Sequence, residues 1–379
     1  MSNFFHIGEN FILDATHDIP EGVGPFLFKF CVYQWSTNKI EYGITANFLN
    51  QRISSFHYSR CDNRNKPSPR FTETNLREKG NYSTKQRASQ SLCLIRNFAL
   101  LYGDKIPEND PHFRLMLLFL EICDIIFAPA ITLGHCNILK DMIFVLFEQF
   151  NELFPDVQPI NKIHHLIHYP DIMKLHGPPI RYWCMRFESF HYVMKRRAQF
   201  IGNFTNICKS LACHVQRLHC LNLLDDKVLS PEITIGPIKK DKLNVNVHMW
   251  LEASQLDILC NPLNQNIPIS FPKLLKVGGW QYFSNSIIVI KKSFETNSGL
   301  PKFGRISSII RQSDSDFFFC LSVLKTIAFE RRYHAYVVED IPDKNKILCI
   351  NMCMSVEPLD IVLNFSNNSN KYVRPRHVV

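Results

Sequence analysis

Residues 177–200 read GPPIRYWCMRFESFHYVMKRRAQF, and this stretch decides both where the helical part of the chain ends and what that part does. Gly177, Pro178 and Pro179 make a loop, because proline fixes φ and removes a backbone donor. Helices follow it. Helical spacing from Arg186 to Phe200 puts His191, Tyr192 and Lys195 three, four and seven residues beyond Glu188, on the same face. Over 181–220 the basic residues are Arg181, Arg186, Lys195, Arg196, Arg197, Lys209 and Arg217, against Glu188 alone. Most of the excess charge of a chain with formal net charge +9 is concentrated here. Tyr182, Trp183, Phe187, Phe190 and Tyr192 interleave with it, which suits phosphate contacts and base stacking. An amphipathic core helix with a solvated basic face is the competing reading.

Upstream, residues 90–154 repeat apolar positions at helical spacing, as in Leu139, Met142 or Ile143, Leu146, Phe150 and Leu153. Pro107, Pro111 and Pro129 punctuate that block, so three or four packed helices are expected. The polar segment 60–90 reads as a mobile loop. At the start, the apolar run Phe11 to Leu13 ends in DATHDIPEGVGP, the pattern of a strand breaking into a turn. Downstream of a linker at 229–245 the pattern changes to short β-branched and aromatic runs, SIIVI, FGRISSII, FFFCLSVL, HAYVVE and ILCINM. The fold class is therefore α+β and multidomain, mainly helical over the first two-thirds and closed by a small antiparallel SH3-like barrel over 246–379.

The chain has 379 residues, 46% hydrophobic and 20% charged, which supplies ample core and excludes disorder over most of its length. Its 13 cysteines are scattered and odd in number, which points to a reduced, intracellular setting without a disulfide framework. No secretory signal is visible at the N-terminus. The most apolar stretch, Phe113 to Leu133, is broken by Glu121, Asp124 and Pro129 and reads as a buried helix, so no membrane partner is expected. Neither a phosphate-binding loop nor a dinucleotide glycine fingerprint occurs, so no nucleotide cofactor is expected.

Three clusters could carry chemistry. Asp14, His17, Asp18 and Glu21 gather past the first strand, where carboxylates can hold a hard divalent cation; alternatively Asp18 caps a helix beginning near Pro20. His164, His165 and His168, with His176 beyond, have helical spacing but lack the acid of a metallopeptidase helix, and packing roles are the plainer account. Cys208, Cys213, His214, His219 and Cys220 do not have zinc-finger intervals. In the β region, Trp280, Phe303, Tyr333 and Tyr336 are either a binding surface or barrel core.

Taken in order, DATHDIPEGV at 14–23, INKIHHLIHYPDIMKLHGPPIRYWCMRFESFHYVMKRRAQFIGNFTNICKSLA at 160–212, and FGRISSIIRQ with YHAYVVED in the tail resemble the C-terminal part of CACTA-type (En/Spm-like) transposases and related transposon-derived animal proteins. The resemblance implies an RNase-H-like DDE core in which carboxylates hold Mg²⁺ or Mn²⁺ for in-line phosphoryl transfer on DNA. It makes Asp14 and Glu188 the candidate catalytic and metal-binding carboxylates, with His17 and Asp18 as neighbours in the turn of Asp14. Residues 1–25 become a remnant strand and turn of the core, and 26–228 the helical domain. The family's first aspartate belongs upstream of Asp14, so the expectation is a C-terminal portion that is catalytically incomplete alone. DNA binding through Arg181, Arg186, Lys195, Arg196, Arg197, Lys209 and Arg217 is the activity then expected, in the nucleus, with a second copy of the chain as a further partner. The alternatives are a metal-dependent nuclease or strand transferase completed by another subunit, and an interaction protein acting through the barrel.

Overall fold

The computed structural model describes residues 11–37, 42–77, 83–202, 205–224, 233–238, 244–246, 266–313, 316–341, 346–349, 358–363, 365 and 369–377. The chain is α+β, helical first and then built of antiparallel sheet. No helix among the described residues is long and apolar enough to cross a membrane.

The helices are α1 (Ala15–Asp18), α2 (Gly24–Thr37), α3 (Ala46–Ser55), α4 (Glu73–Arg77), α5 (Ala88–Tyr102), α6 (Pro111–Ile126), α7 (Leu133–Leu153), α8 (Asn161–Leu166), α9 (Tyr169–His176), α10 (Cys184–Ile201) and α11 (Ile207–Leu224). The expected apolar stripe of α7 is the buried one, with Leu139, Ile143, Leu146 and Phe150 all inside. The apolar stretch from Phe113 forms α6, started by Asp110, whose carboxylate accepts from the Phe113 amide at 2.8 Å, with Pro111 in the first turn. Asp110 also accepts from Trp35 Nε1 at 3.1 Å and Tyr42 O–H at 2.8 Å, so one cap ties α6 to α2 and its flank. Aromatic rings fill the space between, with Trp35 stacked on Phe98 at 5.8 Å and Phe98 near Phe113 at 5.8 Å.

Two expectations for this half need correction. Phe11–Leu13 is not a strand: only Leu13 is buried, and Asp14 is the N-cap of α1. A single buried apolar residue out of three gives no sheet face to pair. The segment 60–90 is not simply loop, because Asn50 exchanges two hydrogen bonds with the backbone of Phe71 (2.8 and 3.0 Å), and Phe71 and Leu76 are buried. Polar composition hid two apolar anchors.

The sheets comprise β1 (Ile233–Ile235), β2 (Leu274–Val277), β3 (Trp280–Phe283), β4 (Ile287–Lys291), β5 (Lys302–Arg311), β6 (Phe317–Glu330), β7 (Ala335–Asp340), β8 (Lys346–Cys349), β9 (Ile361–Val362) and β10 (Lys371–Val373). The first three form a small antiparallel sheet, so the expected linker contributes a strand, β1, paired with β2. The larger sheet runs β4-β5-β6-β7-β10-β9, with β8 pairing the first half of the long β6. Bulges in β4–β5, β5–β6 and β6–β7 curl it. Its two ends are bridged where Ile287 and Leu359 exchange backbone hydrogen bonds of 2.7 Å. Inside the curl lie Ile287, Phe303, Leu324, Val338, Leu359 and Val373. Phe303 and Tyr333 are buried, and Tyr336 packs on Phe303 at 5.6 Å, so these three aromatics are core.

The curled sheet rests on the helices. Tyr333, Ala335, Val362 and Tyr372 belong to the same apolar core as α2, α5, α6 and α7. Around that seam Asp124 of α6 accepts from His334 Nε2 at 2.7 Å and meets Arg374 at 3.4 Å, Arg376 meets Asp62 at 2.7 Å, and Arg332 donates to the carbonyls of Gly103 (2.7 Å) and Ile106 (3.0 Å). Burial pushes the Asp124 carboxyl up, but the charges of Arg374 and His334 outweigh it and hold it below its ordinary 3.8. Asp124 therefore contributes stability that is full above its unfolded value and lost as pH falls through the lower native one. Asp124→Ala leaves the Arg374 guanidinium and the His334 ring without their partner in the seam and is expected to cost about 3 kcal/mol, read from urea unfolding at neutral pH; a loss below about 1 kcal/mol would show that the apolar seam alone holds the sheet.

Candidate metal centre at the foot of a basic helical hairpin

The turn DATHDIPEGV builds one half of the site. Asp14 takes extended backbone and accepts from the amides of Thr16 and His17, starting α1. Pro20 then follows within a single π-helical turn, Ile19–Val23. Proline has no N–H to continue the α ladder, and a widened turn accommodates it. Lys162 of α8 crosses this turn and donates to the carbonyls of His17 (2.7 Å) and Glu21 (3.2 Å). Gly22 permits that crossing, since a Cβ there would lie 2.4 Å from Lys162 Cδ. Asp18 points the other way: it is buried and accepts from Tyr169 O–H at 3.0 Å and from His165 at 2.8 Å, so it neither caps a helix at Pro20 nor joins the surface carboxylates.

The other half arrives from far along the chain. Pro178 and Pro179 lead through a 3₁₀ turn to Trp183, which packs on Phe127 at 5.6 Å and sets the start of α10. Cys184, 170 residues from Asp14, donates its amide to Asp14 Oδ1 at 2.8 Å and its thiol to Asp14 Oδ2 at 2.8 Å. His17 Nδ1 bonds the same Oδ2 and lies 3.4 Å from Cys184 Sγ. Glu188, one turn along α10, is 3.6 Å from Cys184 Sγ and 3.9 Å from His17 Nε2, and Glu21 is 3.7 Å from that same ring nitrogen. Asp14 and Glu188, the two candidate carboxylates, thus stand on either side of His17 and Cys184. Cys184 is the site residue that the sequence reading missed. Its signal was a spacing of four from Glu188, which puts a thiol and a carboxylate on one helical face.

Electrostatics follow from the crowding. Burial raises the Asp14 carboxyl, but hydrogen bonds from Cys184 and His17 outweigh it and hold the group below its ordinary 3.8. Burial, the hydrogen bond to Asp14 and the neighbouring carboxylates push the Cys184 thiol up to about 12. At neutral pH it is a thiol that donates, not a nucleophilic thiolate. Asp14, His17 and Cys184 are the one group among the described residues whose donor atoms lie close enough together to share a metal ion. His164 and His168 make only a pair, with Nε2 atoms 3.3 Å apart, and Cys208, Cys213 and Cys220 are exposed on α11.

A two-metal Mg²⁺ or Mn²⁺ centre requires carboxylate oxygens free to face the cations. Here both oxygens of Asp14 are taken by protein donors, and a thiol and an imidazole separate it from Glu188. The donor set does not fit a hard-cation pair. No protein-family model, curated protein or solved structure matches this chain.

From this foot α10 and α11, each 18 residues long, leave the body as a hairpin in which no residue is buried. Gly202 turns it, with a left-handed φ of +63° that a glycine adopts without strain. Phe190 meets His219 across the pair at 6.4 Å. Arg181, Arg186, Lys195, Arg196, Lys209 and Arg217 are exposed and Arg197 half-exposed, with Arg196 over Tyr192 (5.8 Å) and Arg197 over Phe200 (5.7 Å). The core-helix reading of this segment is excluded by its exposure. Removing the carboxylate that joins the two halves, as Asp14→Ala, is expected to cost about 1–2 kcal/mol through the lost cap. It is also expected to raise amide exchange at Cys184 through Glu188 in hydrogen-exchange mass spectrometry. Unchanged exchange there would show that Trp183 alone seats the hairpin.

Proposed function

We propose that this chain is a transposable-element-derived DNA-binding protein, in the manner of the C-terminal part of a CACTA-type DDE transposase, and that the α10–α11 hairpin is its DNA-binding surface. One observation carries the reading: two basic helices with interleaved aromatics stand clear of the core with no buried residue. Helices that meet only each other and, at their foot, the body contribute little to the core, so their charge and exposed rings, including Phe187 (67% exposed) and Phe200 (82%), call for a ligand. A polyanion with stackable bases supplies both phosphates for Arg and Lys and π-faces for the rings. A nuclear location goes with this reading.

The enzymatic alternative has the convergence of Asp14 and Glu188 in its favour, from opposite ends of the helical block. Against it stands a donor set unsuited to Mg²⁺ or Mn²⁺, so DNA binding without strand cleavage is preferred. Glu188→Gln separates the two. Mn²⁺-dependent nicking of supercoiled DNA by the full chain that disappears in this variant would overturn the non-enzymatic reading.

Binding of the full chain to duplexes of unrelated sequence is expected to weaken steeply as salt rises, because each neutralised phosphate releases counterions. Arg196→Ala with Arg197→Ala is expected to weaken all sequences alike and to lower the slope of log K against log salt by about 0.9 for each phosphate contact removed. Fluorescence anisotropy across a salt series measures this. An unchanged slope would overturn the assignment of the hairpin.

A further inference from the structure

The cluster that rejects a hard cation has the composition of a different site. Its atoms are an imidazole nitrogen, a thiol sulfur and carboxylate oxygens, contributed by α1, the π turn and α10. Thiolate and imidazole are the ligands of Zn²⁺, which takes four donors in a tetrahedron. With Zn–S near 2.3 Å and Zn–N or Zn–O near 2.0 Å, neighbouring donors sit about 3.3–3.6 Å apart. Cys184 Sγ is already 3.4 Å from His17 Nδ1 and 3.6 Å from Glu188 Oε1. Asp14 Oδ2 lies closer in, at 2.8 Å from the sulfur, because protons hold it there. One is on the thiol and the other, in the tautomer that donates from Nδ1, on the imidazole, and a cation that displaces them takes their place beside Oδ2.

Outside the donors, the surroundings are those that orient zinc ligands. Asp14 Oδ1 is fixed by the amides of Cys184 and Thr16, while Oδ2, which accepts from the His17 amide at 3.2 Å, is the oxygen that the thiol and the imidazole share. Glu21 stands 3.7 Å behind His17 Nε2, the position of the carboxylate in a carboxylate–histidine–metal arrangement, and can take the ring proton when Nδ1 turns to the metal.

We propose that Asp14, His17 and Cys184 bind one Zn²⁺, with a water in the fourth position and Glu188 beside it, and that this ion clamps the foot of the hairpin to the body. On binding, the Cys184 S–H bond breaks and its proton goes to solvent, a Zn–S bond forms, and the imidazole proton moves to Nε2; no oxidation state changes. The site goes beyond the DNA-binding reading and stands or falls separately from it.

The experiment uses the full chain stripped with a chelator. Zn²⁺ is titrated in competition with a chromophoric chelator, and Co²⁺ is titrated by absorbance. Expected are one equivalent of tight Zn²⁺ that a large excess of Mg²⁺ does not displace, and a Co²⁺ complex with intense tetrahedral d–d bands and a thiolate charge-transfer band. Cys184→Ser, a change of one atom, is expected to abolish the charge-transfer band, and His17→Gln the tight Zn²⁺ equivalent. Glu21→Gln, which touches no metal, is expected to weaken Zn²⁺ about 10- to 100-fold while leaving the charge-transfer band in place at saturating Co²⁺. Far-ultraviolet circular dichroism checks that each variant folds. Weak octahedral Co²⁺ bands in the wild type, a spectrum unchanged in Cys184→Ser, or displacement of Zn²⁺ by Mg²⁺ would overturn the proposal. Arg196→Ala with Arg197→Ala is expected to leave the titration untouched, so the zinc site and the DNA surface fail independently.

Discussion

Asp14 has two carboxylate oxygens, and donors from two distant parts of the chain compete for them. The amides of Thr16 and His17 need a cap for α1, while the amide and thiol of Cys184 belong to the unsatisfied first turn of α10. One side chain thus starts two helices, and it does so only when residues 14 and 184 are side by side. The candidate site is arranged around that pairing: the basic hairpin leaves from it, and the histidine, thiol and carboxylates of the candidate metal centre converge on it.

Much of this was legible in the sequence, though unevenly. The helical block from Ala88 to Leu153 followed from apolar spacing and proline punctuation, and the strands from Ile287 onward from β-branched runs, because both signals are local. The convergence of Asp14 with the 184–188 segment is tertiary and has no period to read; resemblance to a transposase put Asp14 and Glu188 in one site, while composition alone did not. Cys184 went unnoticed because a lone cysteine beside tryptophan reads as packing. The strand expected before Asp14 failed because three apolar residues cannot distinguish a strand from a capping segment, and the cap won. The 60–90 segment was misjudged because two buried apolar residues, Phe71 and Leu76, anchor a stretch that is otherwise mostly polar.

Between the helices and the sheet the physics is different. The curled sheet shares an apolar core with the helical part through Tyr333, Ala335, Val362 and Tyr372, and ion pairs of Asp124 and Asp62 close the seam. A boundary drawn where composition changes therefore crosses a continuous interior. Tyr333 is spent on this interior and Phe303 on the inside of the curled sheet, so neither offers a ligand-binding face.

The hairpin, which among the described residues meets the body near its foot, is also a lever. An 18-residue helix is about 27 Å long at the usual rise per residue. A tilt of about 10° at Cys184 would therefore carry Phe200 through roughly 4 Å, a little more than the rise of a base-pair step. A small shift in the few side chains around Asp14 would thereby be amplified to several ångström at the far end of the hairpin.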